Sequence, residues 1–517
     1  MRNSNYLSGL ILTLAAVASP GFAADAKPDA KPEAEGKAAP PEKPIPEAKV
    51  WVTKHKMRIG GATLAYTATA GTMQIKNADD EPVALFGFTA YAKDDDDPRM
   101  RPIVFAYNGG PGSASAWLHM GILGPKRTVL QDVDSNTRGP FRTVENEFSI
   151  LDRADLVMID PIGTGFSRTV GKGDQKDFWG VDQDIKSVSD FIVKYLNQYG
   201  RWAAPKFILG ESYGGMRSAG VAYELLTKHN VALNGVILVS PYLDLGAGNA
   251  GLQIDAPYVN FLSTFAATAW YHKVLAQQPA ELQPFLREAE AFAENVYAPV
   301  LFKGARATAA ERQQVLAGLE RYTGVSAAYW DKANLRMDEG HYLQELMRGR
   351  GEIVGRIDTR YVGGSLNALA ESMDYDPYAS AIAPAIVATF NDYYRKELEV
   401  DSDREYVLSG QLYKDWDRRH NQPDIHESVP FPNTSVDLAH AMIMNPKMKV
   451  LVQTGYFDLA CPYGTVEYVL DHLALPAKLR ANISVDYYEA GHMMYVHPPS
   501  MKKFKDDLAG FIDANRN

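Results

Sequence analysis

Short apolar runs, each bounded by glycine, proline or aspartate, recur through most of the chain. They cover residues 103–107, 156–160, 207–210, 236–240, 449–454 and 483–487. Runs that are apolar on both faces are typical of strands buried in a parallel sheet. Between two of them, the apolar residues of 185–199 fall on one face of a helix. We therefore expect an α/β fold, with a mostly parallel sheet flanked by helices and its chemistry at the carboxyl ends of the strands.

The alternation of strands and helices is absent from two other regions. Residues 50–92 alternate in short β-like runs with turn signals such as Gly60-Gly61, which predicts β-hairpins. Residues 255–432 are helix-like and rich in aromatic residues, and strands resume only at Lys449. We expect a core formed by residues 50–254 and 433–517, with residues 255–432 inserted as a mainly helical cap.

The first residues are typical of an exported protein. Residues 1–24 combine an early arginine, a short apolar run and small residues, which predicts a signal peptide. The run is too short to span a membrane, and no later segment approaches the required length; an uncleaved anchor is the alternative. Residues 25–49 repeat proline with lysine and acidic residues, which predicts a disordered linker. We expect a periplasmic or secreted protein without a membrane span.

Charge and cysteine content exclude several functions. The 53 Lys and Arg residues against 63 Asp and Glu residues give a net charge of −10, which argues against a nucleic-acid partner. The single cysteine permits no internal disulfide and no cysteine-based structural metal site. His420 and His426 lie near acidic residues, but the metalloprotease pattern His-Glu-x-x-His does not occur. We expect no metal and no cofactor, and the sequence leaves the oligomeric state open.

A nucleophile with its two partners is indicated by the positions that follow three of the strands. Ser212 lies within Gly-Glu-Ser-Tyr-Gly, directly after an apolar strand, where glycines permit a sharp strand-to-helix turn. Serine needs a base and an orienting acid, and Asp458 and His492 each follow a later strand. The order Ser, Asp, His is that of the α/β-hydrolase triad. His497 is the nearest rival to His492, but two prolines follow it and suggest a loop.

A glycine-rich loop follows the strand at 103–107 and reads Asn-Gly-Gly-Pro-Gly-Ser at 108–113. Its glycines would let backbone N–H groups approach a developing oxyanion. A tight turn and a phosphate-binding loop are the alternatives, and the lysine that a nucleotide loop needs is missing.

These motifs, together with Asp160-Pro-Ile-Gly-Thr-Gly165, resemble the serine carboxypeptidase family, in the family's order over residues 103–500. The resemblance implies an α/β-hydrolase fold in which Ser212 is the nucleophile, His492 the general base and Asp458 its orienter. It also implies that the N–H groups of Gly110 and Tyr213 form the oxyanion hole.

The same resemblance implies how substrate is held. The C-terminal carboxylate of a peptide would bind Asn108, Gly109 and Glu211, with Cys461 as a free thiol near the pocket and Met493 in the pocket. A buried Glu211 must be protonated to donate a hydrogen bond to that carboxylate, because two negative charges at one buried site repel each other. The alternative for Glu211 is an exposed turn residue.

Two positions depart from the family pattern. The family usually pairs that Glu with a second one, and Ile122 stands at the expected position. The family also often has His-Tyr after the serine motif, where this chain has Met216 and Arg217. Arg217 is expected at the surface, because arginine is mostly exposed, with a carboxylate ligand as the alternative.

The leading hypothesis is therefore an exported serine-type carboxypeptidase that acts on peptides with a free C-terminus. An esterase or acyltransferase on the same triad is the second hypothesis. A binding protein on a hydrolase scaffold is the third, and the complete triad argues against it.

Overall fold

The computed structural model describes residues 44–251, 254–425 and 427–517. The predicted signal peptide (1–24), most of the predicted linker (25–43) and His426 lie outside the described residues. Residues 44–49 belong to no helix or strand. Within the described ranges, no helix has both the length and the apolar character needed to cross a membrane.

The strands of the described residues are β1 (Val50–Ile59), β2 (Ala62–Lys76), β3 (Pro82–Lys93), β4 (Ile103–Tyr107), β5 (Lys126–Thr128), β6 (Thr143–Glu145), β7 (Asp155–Asp160), β8 (Arg168–Thr169), β9 (Lys206–Glu211), β10 (Gly235–Val239), β11 (Glu352–Val354), β12 (Val362–Gly364), β13 (Lys449–Gly455) and β14 (Ile483–Tyr488). Ten of them join one sheet, in the order β1-β2-β3-β7-β4-β9-β10-β13-β14 with β8 beside β3. Strands β5 and β6 pair with each other, as do β11 and β12.

The six apolar runs of the sequence form the parallel part of the sheet, from β7 through β4, β9, β10 and β13 to β14. The segment 50–92 forms the antiparallel strands β1 to β3, and β3 pairs antiparallel with β7. This confirms the predicted fold class. Side chains of β4 alternate between the two faces: Phe105 and Tyr107 join the core on one side, Val104 and Ala106 the core on the other.

Helices cover both faces of the sheet and fill most of the chain between β10 and β13. They are α1 (Ala116–Leu118), α2 (Val181–Gln198), α3 (Tyr213–His229), α4 (Leu245–Gly248), α5 (Ala256–Asn260), α6 (Leu262–Tyr271), α7 (Leu282–Phe292), α8 (Ala298–Lys303), α9 (Ala309–Thr323), α10 (Ala327–Lys332), α11 (Glu339–Glu345), α12 (Pro377–Lys396), α13 (Ser435–Met444), α14 (Tyr463–Asp471), α15 (Ala477–Arg480) and α16 (Pro498–Asn515). The residues 119–123 and 293–297 form π-helical turns.

The helices inserted between β10 and β13 have a hydrophobic core of their own. Phe265 and Tyr342 stack with ring centroids 3.9 Å apart, and Trp330 packs beside them with no exposed surface. A helical insertion that buries its own aromatic residues explains why this stretch shows no strand pattern. The predicted cap boundaries, 255 and 432, remain a prediction.

The register of the parallel strands aligns their carboxyl ends. Tyr107 of β4 pairs with Gly210 of β9, Glu211 pairs with Val239 of β10, and Val239 pairs with Gln453 of β13. The segments that follow these strands therefore meet along one edge of the sheet.

Candidate active site

Ser212 lies at the sharp turn between β9 and α3. Its backbone has φ +63° and ψ −127°, a conformation that L-residues rarely adopt, and its side chain is half-buried. The turn is possible because Gly210 has no side chain: a Cβ there would lie 2.0 Å from the carbonyl oxygen of Gly214. This strained turn raises the serine above the sheet edge at the start of a helix.

Asp458 and His492 form a buried pair after β13 and β14. Oδ2 of Asp458 lies 2.7 Å from Nδ1 of His492, and Oδ1 accepts hydrogen bonds of 2.8 Å from the N–H groups of Ala460 and Cys461. Burial lowers the pKa of His492, but the charge and hydrogen bond of Asp458 outweigh it, so the pKa stands well above 6.5. The pair therefore fixes the imidazole with Nδ1 toward the acid.

Ser212 and His492 line the same cavity, which has a volume of about 980 Å³. The other proposed site residues that line it are Asn108, Gly109, Gly110, Glu211, Tyr213, Cys461 and Met493. Asp458 does not line it and is fully buried behind His492. The structure thus brings together all ten residues that the sequence singled out.

The glycine loop after β4 packs directly against the serine turn. A Cβ on Gly109 would lie 2.5 Å from the backbone N of Tyr213, so only glycine permits this approach. The N–H groups of Gly110 and Tyr213 donate to no protein acceptor among the described residues. Two unengaged N–H groups beside a serine are what an oxyanion hole requires.

Glu211 is buried and forms two hydrogen bonds. Its Oε1 accepts from the side-chain amide of Asn108 at 2.6 Å, and its Oε2 accepts from the hydroxyl of Tyr495 at 2.7 Å. Burial raises the pKa of Glu211, while both hydrogen bonds and the charge of His492 lower it in part. Glu211 is only 3% exposed, so the alternative of an exposed turn residue is wrong.

Tyr495 is a functional-site residue that the sequence did not reveal. It lies three residues after His492, and its ring fills the space above Gly121, where a Cβ would lie 2.4 Å from the ring. Ile122, next in the chain, is fully buried in the apolar core. Ile122, at the position expected for a second Glu, therefore does not contact Glu211 through a polar group. The hydroxyl of Tyr495 is instead one of the two hydrogen-bond partners of the Glu211 side chain.

The expectation that Arg217 lies at the surface is wrong, and so is the alternative of a carboxylate ligand in the pocket. Arg217 is completely buried beneath the site, where Nε donates to Asp184 at 2.7 Å and Nη1 donates to the carbonyl oxygen of Asn108 at 2.8 Å. Its guanidinium also packs over the ring of Tyr107. A buried acid on α2 overrides the usual exposure of arginine.

Cys461 is buried and lies close to the acid–histidine pair. Atoms of Asp458, Cys461 and His492 that could bind a metal lie within 4.8 Å of one another, the one such group within the described ranges. The oxygens of Asp458 are already bonded to His492 and to two backbone N–H groups. His497, the rival histidine, stands at the N-cap position of α16, and its Nδ1 lies 2.7 Å from the hydroxyl oxygen of Ser500.

The strand order and the serine turn are those of an α/β-hydrolase. A family model described as serine carboxypeptidase matches residues 61–496. The chain belongs to the serine carboxypeptidase family.

Curated relatives agree with this assignment over short segments. "Serine carboxypeptidase-like 10" of Arabidopsis thaliana is 27% identical over 32% of this chain and 37% of its own length. "Carboxypeptidase Y homolog A" of Penicillium rubens is 30% identical over 28% of this chain and 24% of its own length. The matched segments therefore span well under half the length of these relatives.

A solved structure has the same fold. It is that of KEX1(delta)P, a prohormone-processing carboxypeptidase from Saccharomyces cerevisiae, at 16% sequence identity and a TM-score of 0.50. The similarity covers 87% of this chain and 91% of that chain. At this identity the likeness extends to the fold alone.

Proposed function

We propose that the chain is an exported serine carboxypeptidase that removes C-terminal residues from peptides through an acyl-enzyme on Ser212. The observation that carries the proposal is the Asp458–His492 pair, 2.7 Å apart, whose histidine lines the same cavity as a serine in a strained turn. Family membership supports the same reaction class.

The reaction needs only side chains, backbone N–H groups and water. His492 takes the proton of Ser212 as its oxygen attacks the scissile carbonyl, and Asp458 stabilises the imidazolium that forms. The N–H groups of Gly110 and Tyr213 hold the oxyanion. His492 then protonates the departing amino group, and a second cycle with water frees the shortened peptide.

Recognition of the free C-terminus is assigned to Asn108, Gly109 and Glu211. Glu211 and Asn108 are joined at 2.6 Å at the end of the cavity formed by the loop after β4. Protonated Glu211 can donate to the substrate carboxylate, and burial favours that form by raising its pKa. Met493 and Cys461 complete the walls near His492.

The decisive test compares an N-blocked dipeptide that has a free C-terminus with its C-terminal amide. We expect kcat/KM for the acid to exceed that for the amide by at least about tenfold, because a charged hydrogen bond is lost in the amide. Equal rates would contradict the carboxypeptidase and leave an esterase or amidase on the same triad. A serine-directed phosphonate should label the wild type and fail to label Ser212→Ala; labelling of neither would exclude both enzymes.

Export is proposed from residues 1–24 alone. In a bacterial host, the full-length chain should appear in the periplasm or medium with a new N-terminus near residue 24. A chain that keeps its first residues and stays in the cytoplasm would contradict this.

A further inference from the structure

A short segment of the insertion lies between the two loops that carry Asp458 and His492. The carbonyl oxygen of Arg356 accepts from the N–H of Leu459 at 3.1 Å, and that of Ile357 accepts from the N–H of His492 at 2.8 Å. The N–H groups of Arg356 and Ile357 both donate to Oδ2 of Asp376, at 3.2 and 3.1 Å. The backbone at Arg356 is therefore fixed beside the candidate triad.

Arg356 is half-buried and lines the cavity. It forms no hydrogen bond or ion pair with any other residue in the described part of the chain. Arg360, four residues later, forms ion pairs with both Asp132 and Asp358 and so has a structural role, in contrast to Arg356. An arginine that lines a cavity and has no hydrogen-bond or ion-pair partner in the described part of the chain suits a carboxylate brought by a ligand.

The order of the strands in the sheet indicates which part of a substrate would contact Arg356. The loop with Asn108 follows β4 on one side of β9, whereas Tyr242 and Cys461 follow β10 and β13 on the other side. Arg356 lies on the side of Cys461, because its carbonyl oxygen accepts from the N–H of Leu459, two residues before Cys461. If the departing residue lies toward Asn108, the residue that stays on Ser212 lies toward Arg356.

Other charged groups also line the cavity. Asp338 is paired with His341 at 2.7 Å, and Glu371 lies 3.9 Å from the same histidine. Glu339 lines the cavity and lies farther than 4.0 Å from any cation within the described ranges. Arg418 lines it as well and is exposed. Glu339 is thus the group that could favour a basic substrate instead.

We propose that Arg356 selects substrates with an acidic side chain on the residue that becomes bound to Ser212. This proposal rests on the proposed function for its orientation of the peptide. It assigns to the cavity a preference for Glu or Asp in the penultimate position of the peptide.

The test uses N-blocked glutamyl and glutaminyl p-nitrophenyl esters, whose leaving group carries no α-carboxylate. Wild type should prefer the glutamyl ester by about tenfold in kcat/KM. Arg356→Met should reduce this preference to within about twofold, and Arg356→Lys should restore part of it. Arg418→Met is the matched control and should keep the wild-type preference.

Several outcomes would overturn the proposal. These are no preference in wild type, a preference for a lysyl ester that depends on Glu339, or an equal loss on both esters in Arg356→Met. A loss in Arg356→Met of the preference for dipeptide acids over amides would also overturn it, because Arg356 would then bind the α-carboxylate. If wild type cleaves the esters with the glutamyl preference but fails to cleave dipeptide acids, the proposed function fails while this inference stands.

Discussion

The hydroxyl of Tyr495 donates a hydrogen bond of 2.7 Å to Oε2 of Glu211 and so joins the histidine segment to the residue before the candidate nucleophile. Tyr495 is fully buried and does not line the cavity. It is therefore a positioning residue, which acts on substrate only through Glu211.

Tyr495→Phe should shift the pH dependence of carboxypeptidase activity. The hydroxyl stabilises ionised Glu211, so its removal should raise the pKa of Glu211 further. Because the proposed reaction needs protonated Glu211, the decline of kcat/KM at high pH should move up by about one pH unit for a dipeptide acid.

The C-terminal amide of the same dipeptide is the control for Tyr495→Phe. Its rate should not depend on the protonation of Glu211, so its pH profile should be the same in both proteins. A downward shift, or an equal shift for acid and amide, would contradict the role given to Tyr495.

Asp458→Asn should lower kcat by about 10⁴-fold, because an amide cannot hold the imidazole in the required tautomer. The cavity wall offers a matched control in Asp338, which bonds Nδ1 of His341 at the same distance, 2.7 Å. Asp338→Asn should change kcat by less than about threefold, since Asn keeps the helix cap that Asp338 provides. Similar losses in both variants would argue against a special role for Asp458.

The sequence predicts those parts of the fold and of the candidate site whose patterns lie within short segments of the chain. The six parallel strands could be predicted because a strand buried on both faces is continuously apolar. Ser212, Asp458 and His492 follow from their positions after three of these strands, whereas the roles proposed for the other seven site residues come from the family resemblance. The contacts of Arg217 were not predictable in this way, because its burial depends on Asp184, which lies on a different helix. The roles proposed for Arg356 and Tyr495 likewise depend on tertiary contacts, which the sequence does not show.

Arg217→Met should destabilise the fold by about 3–5 kcal/mol, because it leaves Asp184 buried without its partner. Urea denaturation measures the free energy of unfolding. A double variant that also carries Asp184→Leu should recover most of the loss, since an apolar pair avoids the buried charge. If the double variant is as unstable as Arg217→Met, then packing rather than the unpaired acid causes the loss.

Cys461 provides a chemical test of the cavity wall. A bulky thiol reagent should abolish hydrolysis, because the thiol lies beside His492. Burial raises the pKa of Cys461, and the thiolate is the reactive form, so inactivation should be slow at pH 7 and faster at pH 9. Cys461→Ala should remain active and resist the reagent. A modified wild-type protein with full activity would refute the placement of the thiol.

His420 should make stability depend on pH between 6.5 and about 9. Its Nδ1 lies 2.6 Å from Asp182 and its Nε2 lies 2.9 Å from Asp437. Burial lowers the pKa of His420, but the two hydrogen bonds outweigh it and raise the pKa to about 9. A histidine whose pKa is raised by folding stabilises the native state fully below pH 6.5, and this stabilisation is lost as the pH rises through 9.

The measurement compares the free energy of unfolding of wild type and His420→Gln across that pH range. The difference should reach up to about 3 kcal/mol at pH 6 and shrink steadily toward pH 9.5. His440 offers a control on α13, the helix that carries Asp437, where it packs edge to face against Tyr223. His440→Gln should leave the decline of wild-type stability between pH 6.5 and 9 in place. A constant difference for His420→Gln would mean that the two carboxylates do not hold a charged imidazole.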